Sequence, residues 1–399
     1  MRKLKMTDFG DPLDTSAGIP YELFARLRAE APVWRTGTGV WFFSLFDDVL
    51  AATKDIESFK SSFRDPGVVV PEEEQLISEI EEPRHGKIRR IVNSAIAAHR
   101  LGNVESFALE TSHTLLERVL AKGGGELMNE FVMPLPTSVI ATLLGVPTED
   151  FHLWGQWSGD VVQGDYPTKN RTERGEGFAG AHPEFATYVD RQIAERRGAE
   201  NPPNDFVTRL INTDVEGQRL TDTEVRTLMV FLLVAGNETT RNLIGNLLIT
   251  MGQRPEIFRQ LQDNPELIEV AVEESLRIDP PTAVLLRDCI RDTEIHGIPI
   301  RAGEKVAYGI ASANRDESHY EDPNSFRLDR PNPKHHVAFG GGPHVCPGSV
   351  LARMEAKIAI EVFLEKVGEM KLAPDFVREK VPVFWANGPN ALPVTLTRR

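Results

Sequence analysis

The chain has 399 residues, 41% hydrophobic and 26% charged, with 59 acidic against 45 basic residues and a formal net charge of -14. That length and composition suit a globular protein with a substantial core, and the acidic balance argues against a nucleic-acid binder, which needs a basic footprint. Two cysteines, Cys289 and Cys346, cannot build a disulfide framework. The start lacks an apolar run behind its charges, and the longest strongly apolar run, residues 228–235, is too short to span a bilayer, so the expected location is cytoplasmic.

Helical periodicity dominates and strand-like pieces are few, which predicts one mainly α domain with small β-sheets set into it. Residues 40–44 read as a first strand. An apolar group follows, Phe63 with Val68, Val69 and Val70. In Pro83-Arg84-His85-Gly86-Lys87-Ile88-Arg89, His85 and Arg89 stand one helical turn apart. Residues 123–125 (Gly-Gly-Gly) and 201–204 (Asn-Pro-Pro-Asn) read as loops between helices, and residues 147–150 as a helix start.

Thr221 and Glu224 form a capping-box pattern for a long helix over residues 224–251. The stretch 228–235, including Phe231 and Val234, is apolar all round, as expected of a buried helix. Then comes Ala235-Gly236-Asn237-Glu238-Thr239-Thr240. Glycine and threonine weaken a helix interior, and an acid in such surroundings costs free energy unless paired or hydrated. Stability gives no reason for this interruption, whereas an acid beside a hydroxyl can organise water and relay protons. The plain alternative is that Glu238 faces a polar patch.

A further helix starts at Asn264-Pro265 and stops at Asp279-Pro280-Pro281, with Glu274 and Arg277 on one face. Such a pair contributes little when exposed. Residues 293–300, 305–310 and 392–396 read as strands, punctuated by turns at Arg291-Asp292 and His296-Gly297. Ala283, Val284, Phe384 and Trp385 join Phe63, Val68, Val69, Val70, Phe231 and Val234 as apolar candidates for a ligand pocket.

The most specific segment is Phe339-Gly340-Gly341-Gly342-Pro343-His344-Val345-Cys346-Pro347-Gly348, followed by a helix with Val350, Met354, Ile358 and Val362 on one face. Pro347 suits a first helical position, which puts Cys346 at or just before a helix start, where free amides and the positive dipole end favour a thiolate. Glycines let the backbone pass close to a flat ligand, and loop amides can tune a bound metal. A lone thiolate does not make a zinc site; it suits an iron whose equatorial ligands come from a porphyrin.

This ordered run of Phe, Gly, Gly, His, Cys and Gly resembles the cysteine-ligand loop of the cytochrome P-450 family, with Pro347 at a position that is variable there. Ala235, Gly236, Glu238 and Thr239 are similar to the family's distal Ala/Gly-Gly-x-Asp/Glu-Thr motif. The motif order spans roughly residues 20–399. The resemblance implies a triangular, mainly helical prism, with non-covalent haem b between the central helix and the cysteine helix. Cys346 would be the iron ligand, with Phe339, Gly340, Gly348, Ala235 and Gly236 around the cofactor. Thr239 would hydrogen-bond the reacting oxygen, and Glu238 would help deliver protons. His85, Arg89, Arg287 and His344 would hold the propionates, and Glu274, Arg277 and Arg330 the loop's scaffold.

The implied reaction is insertion of one atom of O2 into a lipophilic substrate such as a terpenoid, steroid, fatty acid or polyketide. With no reductase-sized extension in 399 residues, electrons are expected from a separate ferredoxin and its reductase, docking in part on Lys87, Arg90 and Arg353. Rival readings are a peroxide-using haem-thiolate peroxygenase and a non-catalytic haem sensor.

Overall fold

The computed structural model describes residues 9–62, 64, 68, 70–98, 101–163, 177–214 and 217–399. The chain forms two compact units: Met1–Ser62 with Leu116–Val132 and Thr239–Arg399, and Phe63–Leu115 with Met133–Glu238. Among the described residues, strands are confined to the first: β1 (Val33–Arg35), β2 (Trp41–Phe43), β3 (Phe59–Ser61), β4 (Gly124–Glu126), β5 (Val284–Cys289), β6 (Thr293–Ile295), β7 (Ile298–Ile300), β8 (Lys305–Gly309), β9 (Val367–Leu372) and β10 (Pro393–Arg398). The described residues of the second unit form helices and loops.

A five-stranded sheet has the order β1-β2-β8-β5-β3, with only β2 and β8 parallel. Side chains alternate across a strand, and here both faces are covered. Phe43, Val306, Tyr308, Phe59 and Cys289 enter one core cluster, while their neighbours Phe42, Ala307 and Val284 enter another with Phe24 and Leu27. Cys289 is a small buried hydrophobe of this sheet, and burial pushes its thiol pKa up. In the β6–β7 hairpin, Ile295 opposes Ile298 across His296 and Gly297, whose φ values of 52° and 76° supply the two left-handed residues that a tight two-residue turn needs.

The expectation of a loop at residues 123–125 is corrected. Gly124–Glu126 is strand β4, paired with β10 in a three-stranded sheet of order β4-β10-β9. Gly124 has φ 136°, and a Cβ there would lie 2.3 Å from the Val394 carbonyl oxygen. Glycine is present for close backbone approach as well as for turning.

The helix Asp222–Gln253 runs 32 residues without a break through Gly236, Glu238 and Thr239, so the expected interruption is one of side-chain chemistry alone. Its capping box forms: Thr221 N–H donates to Glu224 Oε2 at 2.7 Å and Glu224 N–H donates to Thr221 Oγ1 at 3.2 Å. Among the described residues, no helix is long and apolar enough to cross a membrane.

One core acid stands apart. Glu355, in the helix Ser349–Lys366, is buried; its Oε2 has no hydrogen-bond partner, and burial raises its pKa well above the ordinary 4.5. Unfolded chain releases this proton near pH 4.5, whereas the folded protein keeps it to higher pH. Stability associated with Glu355 is therefore present below that value and lost as pH rises. Denaturant melts should show Glu355→Gln gaining on the parent protein as pH rises above about 4.5. A pH-independent difference would show that the carboxyl does not titrate as its burial requires.

Candidate functional site

The cysteine loop lies in the first unit. A 3-10 turn, Gly342–His344, precedes Val345 and Cys346, and the next helix begins at Ser349, two residues beyond Pro347. Cys346 N–H donates to the Phe339 carbonyl at 3.0 Å, closing the loop on itself. Gly340 and Gly342 hold φ values of 70° and 63°. A Cβ on Gly342 would come within 2.3 Å of the Thr53 carbonyl oxygen, so that side of the loop is packed backbone to backbone, while a Cβ on Gly340 would meet nothing within 4 Å. At Gly348 a Cβ would sit 3.9 Å from Cys346 Sγ, an ordinary van der Waals contact, so this position packs beside the sulfur. Cys346 is half-buried and not in a disulfide.

Behind the loop lies a buried ionic network. Glu274 and Arg277 are fully buried on the helix Ile268–Ile278 and make two 2.8 Å contacts. Arg330 Nε donates to both Glu274 oxygens at 3.0 and 2.9 Å, and Arg327 N–H adds a bond at 3.0 Å. Arg277 also donates to the carbonyls of Asn314, Pro323 and Ser325. The three residues expected to act together are thus joined, and they brace the segment that leads to Phe339.

Arg287 projects from β5 and is 9% exposed. Its Nη1 donates to the Leu286 carbonyl at 2.7 Å, and its guanidinium lies 5.2 Å from the centroid of the Tyr308 ring. No carboxylate meets it among the described residues, and burial holds its pKa below the usual arginine range. A buried, uncompensated cation is costly. It fits a site completed by an anionic group that is not part of the chain. Nor do the described residues contain a cluster of three or more His, Cys, Asp or Glu able to hold a metal. A lone thiolate donor with an unmatched buried guanidinium in the same unit fits an iron porphyrin with carboxylate arms. His344 lies in the turn before Cys346, partly buried.

In the second unit, His85 and Arg89 share one face of the helix Arg84–Ala98, and His85 Nδ1 lies 2.9 Å from Glu82 Oε1. Along the central helix, Phe231, Val234, Ala235, Gly236, Glu238 and Thr239 are partly exposed, while Leu232, Leu233, Asn237 and Thr240 are buried. Most of the partly exposed set recurs at helical spacing, which marks an open stripe along a largely buried helix. Asn237 fixes the stripe's rotation: its Nδ2 donates to Ser158 Oγ at 3.1 Å, and its Oδ1 accepts from Thr137 Oγ1 at 2.9 Å.

Of the apolar pocket candidates, Val68 and Val70 are partly buried, and Phe63 and Val69 lie outside the described residues. Ala283 and Val284 are corrected to core positions: both are fully buried in the cluster with Phe24 and Phe42. Phe384 and Trp385 keep some exposure, and Ala283 N–H donates to the Trp385 carbonyl at 2.7 Å.

Two features escape sequence reading. Asp279, read only as a helix stop, is a partly buried hub: Tyr21 Oη donates to it at 2.6 Å, and Arg315 and Arg378 pair with it at 3.3 and 3.1 Å. Burial opposes its charge, but the two guanidiniums hold its pKa below the usual aspartate value. Arg378 also donates to Asn246 and Asn387, tying the central helix to the segment after Trp385. The second is Glu273, which pairs with Arg353 at 2.5 and 3.0 Å. Arg353 is therefore committed to this pair, which weakens its expected part in a docking face. Only the Glu273-Glu274 doublet and the Asp279-Pro280 boundary mark these groups in the sequence.

Comparison with known proteins points one way. The sequence profile described as Cytochrome P450 matches residues 170–368. The biotin biosynthesis cytochrome P450 of Bacillus subtilis (strain 168) is 33% identical over 389 residues, 94% of this chain and 96% of that protein. A steroid C26-monooxygenase of Mycolicibacterium smegmatis is 31% identical over 380 residues, 94% of this chain and 92% of that one. Among solved structures, CYP109E1 from Bacillus megaterium in complex with testosterone superposes with a TM-score of 0.83 at 30% identity, covering 94% of this chain and 99% of that one.

Proposed function

The chain belongs to the cytochrome P450 family, and we propose that it is a haem-thiolate monooxygenase that inserts one atom of O2 into a lipophilic small molecule. The observation that best supports this reading is Arg287, a buried guanidinium that meets no carboxylate among the described residues, in the unit that holds the half-buried Cys346. When bound, haem b would supply electron storage and oxygen activation, with the thiolate favouring O–O cleavage.

The chain's own residues have distinct parts. Cys346 would hold the metal, and its N–H bond to the Phe339 carbonyl ties it into the loop that precedes the helix starting at Ser349. Arg287, His344, His85 and Arg89 would hold the propionates. The Thr239 hydroxyl would supply a hydrogen-bond donor at the reaction site, and the Glu238 carboxyl would carry protons inward from solvent. Phe231, Val234, Phe384 and Trp385 exclude water and orient an apolar substrate. A steroid, terpenoid, fatty acid or polyketide substrate is in keeping with these side chains and with the steroid-directed relative. Electrons come from a separate ferredoxin and its reductase in the cytosol.

The test is spectroscopic and catalytic. Reduced, haem-loaded protein should give the strongly red-shifted carbon monoxide band of a thiolate complex, and Cys346→His should abolish that band while keeping haem. With ferredoxin, reductase and a substrate found by spin-state shift, oxygenated product should form. A band insensitive to Cys346→His, or peroxide-driven turnover exceeding ferredoxin-driven turnover, would sink the proposal.

A further inference from the structure

We propose that Glu273 is a positioning residue for the thiolate loop, acting through Arg353 and Phe339 to set the electron affinity of the group that Cys346 holds. The inference rests on the reading of Cys346 as an iron ligand, and names a residue that acts through the loop rather than on substrate.

The contacts form a closed ring in the first unit. Cys346 N–H donates to the Phe339 carbonyl. The Phe339 ring carries the Arg353 guanidinium at 4.5 Å from its centroid. Arg353 places two nitrogens on the two oxygens of Glu273, at 2.5 and 3.0 Å. Glu273 Oε2 also lies 2.9 Å from His336 Nε2. His336 Nδ1 accepts the Ala338 N–H at 3.2 Å, and Ala338 precedes Phe339. The loop is gripped ten residues before the cysteine, at His336, and seven residues after it, at Arg353, by one carboxylate.

The division of labour within the doublet follows from helix geometry. Successive residues on a helix project about 100° apart, so Glu274 turns to Arg277 and Arg330 while Glu273 turns to Arg353 and His336. Because the Ala338 amide donates to Nδ1, that nitrogen carries no proton. The neutral ring keeps its proton on Nε2, aimed at Glu273. The ring is then charge-balanced: one carboxylate, one guanidinium, one neutral imidazole. Burial opposes ionisation of Glu273, but the bonds from His336 and Arg353 hold its pKa below the usual carboxylate value. Both charges therefore persist across the neutral range.

Balance makes the pair testable, because removing either charge leaves the other unmatched beside the loop. In a partly buried setting such a charge acts over a long range. An unmatched Arg353 favours the reduced state; an unmatched Glu273 favours the oxidised state. A pair that served only to hold the fold would, on loosening, admit water in both cases and move the potential in one direction.

The experiment is an equilibrium redox titration of the full-length, haem-loaded protein followed by absorption. Glu273→Gln should raise the reduced-to-oxidised ratio at a fixed potential by about threefold, and Arg353→Gln should lower it by about threefold, each roughly 28 mV at 59 mV per tenfold. Shifts of the same sign, or none, overturn the inference while leaving the Cys346 reading intact. A parent protein without the thiolate carbon monoxide band overturns both. If Glu273→Gln fails to fold, the partly exposed Arg353→Gln decides alone, and an unchanged or raised potential refutes the proposal.

Discussion

Glu274→Gln is expected to give little or no folded, cofactor-loaded protein. The carboxylate is fully buried and accepts from Arg277, Arg330 and the Arg327 amide at once. A glutamine offers one acceptor oxygen and turns an NH2 toward the guanidiniums, leaving two buried cations without a counter-charge. Breaking a buried ionic group in this way costs about 3–5 kcal/mol, against a total stability on the order of 5–15 kcal/mol for a folded domain. Arg277→Lys should be nearly as damaging, because an ammonium cannot match the guanidinium fork that also reaches the Asn314, Pro323 and Ser325 carbonyls. Soluble yield, haem content and denaturant midpoint are the readouts. A Glu274→Gln protein with an unchanged midpoint would show that the network contributes little.

What could be read in advance follows the range of each interaction. The cysteine loop is legible because its chemistry is local: ten consecutive residues carry the cysteine and the glycines, although the helix starts at Ser349 and not at Pro347 as the sequence suggested. The capping box at Thr221 is legible for the same reason, and its two bonds form as the spacing requires. Arg330 sits 56 residues from its partner Glu274, and only the family pattern joined them. Glu273 offers less, since its partners lie 63 and 80 residues away and no local periodicity marks a paired acid. Strand β4 was hidden because a Gly-rich stretch reads as a turn until β10 is known to lie against it. β1 and β3, of three residues each, are too short for alternation to show. Ala283 and Val284 were misplaced because an apolar residue beside a pocket and one in the core look alike in sequence.

Glu238→Gln and Thr239→Ala should separate proton delivery from electron consumption. Both residues lie on the partly exposed stripe of a helix that is otherwise largely buried, where solvent can reach a carboxyl without flooding the apolar side chains above it. A carboxyl can take a proton from water and release it again, whereas an amide can only donate and accept hydrogen bonds. Glu238→Gln should therefore lower product formation by about 10²-fold, the low end for loss of a positioned acid, with haem content and the thiolate spectrum unchanged. Thr239→Ala removes a hydrogen-bond donor rather than a proton carrier, so electrons should still be consumed while the yield of product per electron pair falls. The measurements are product formed and NAD(P)H oxidised in the same reaction, with the pH profile of each variant. A mere structural role would lower both quantities together and flatten neither pH profile. If Glu238→Gln keeps the parent rate across the pH range, protons enter by another route, and the acid on this stripe faces a polar patch of no catalytic consequence.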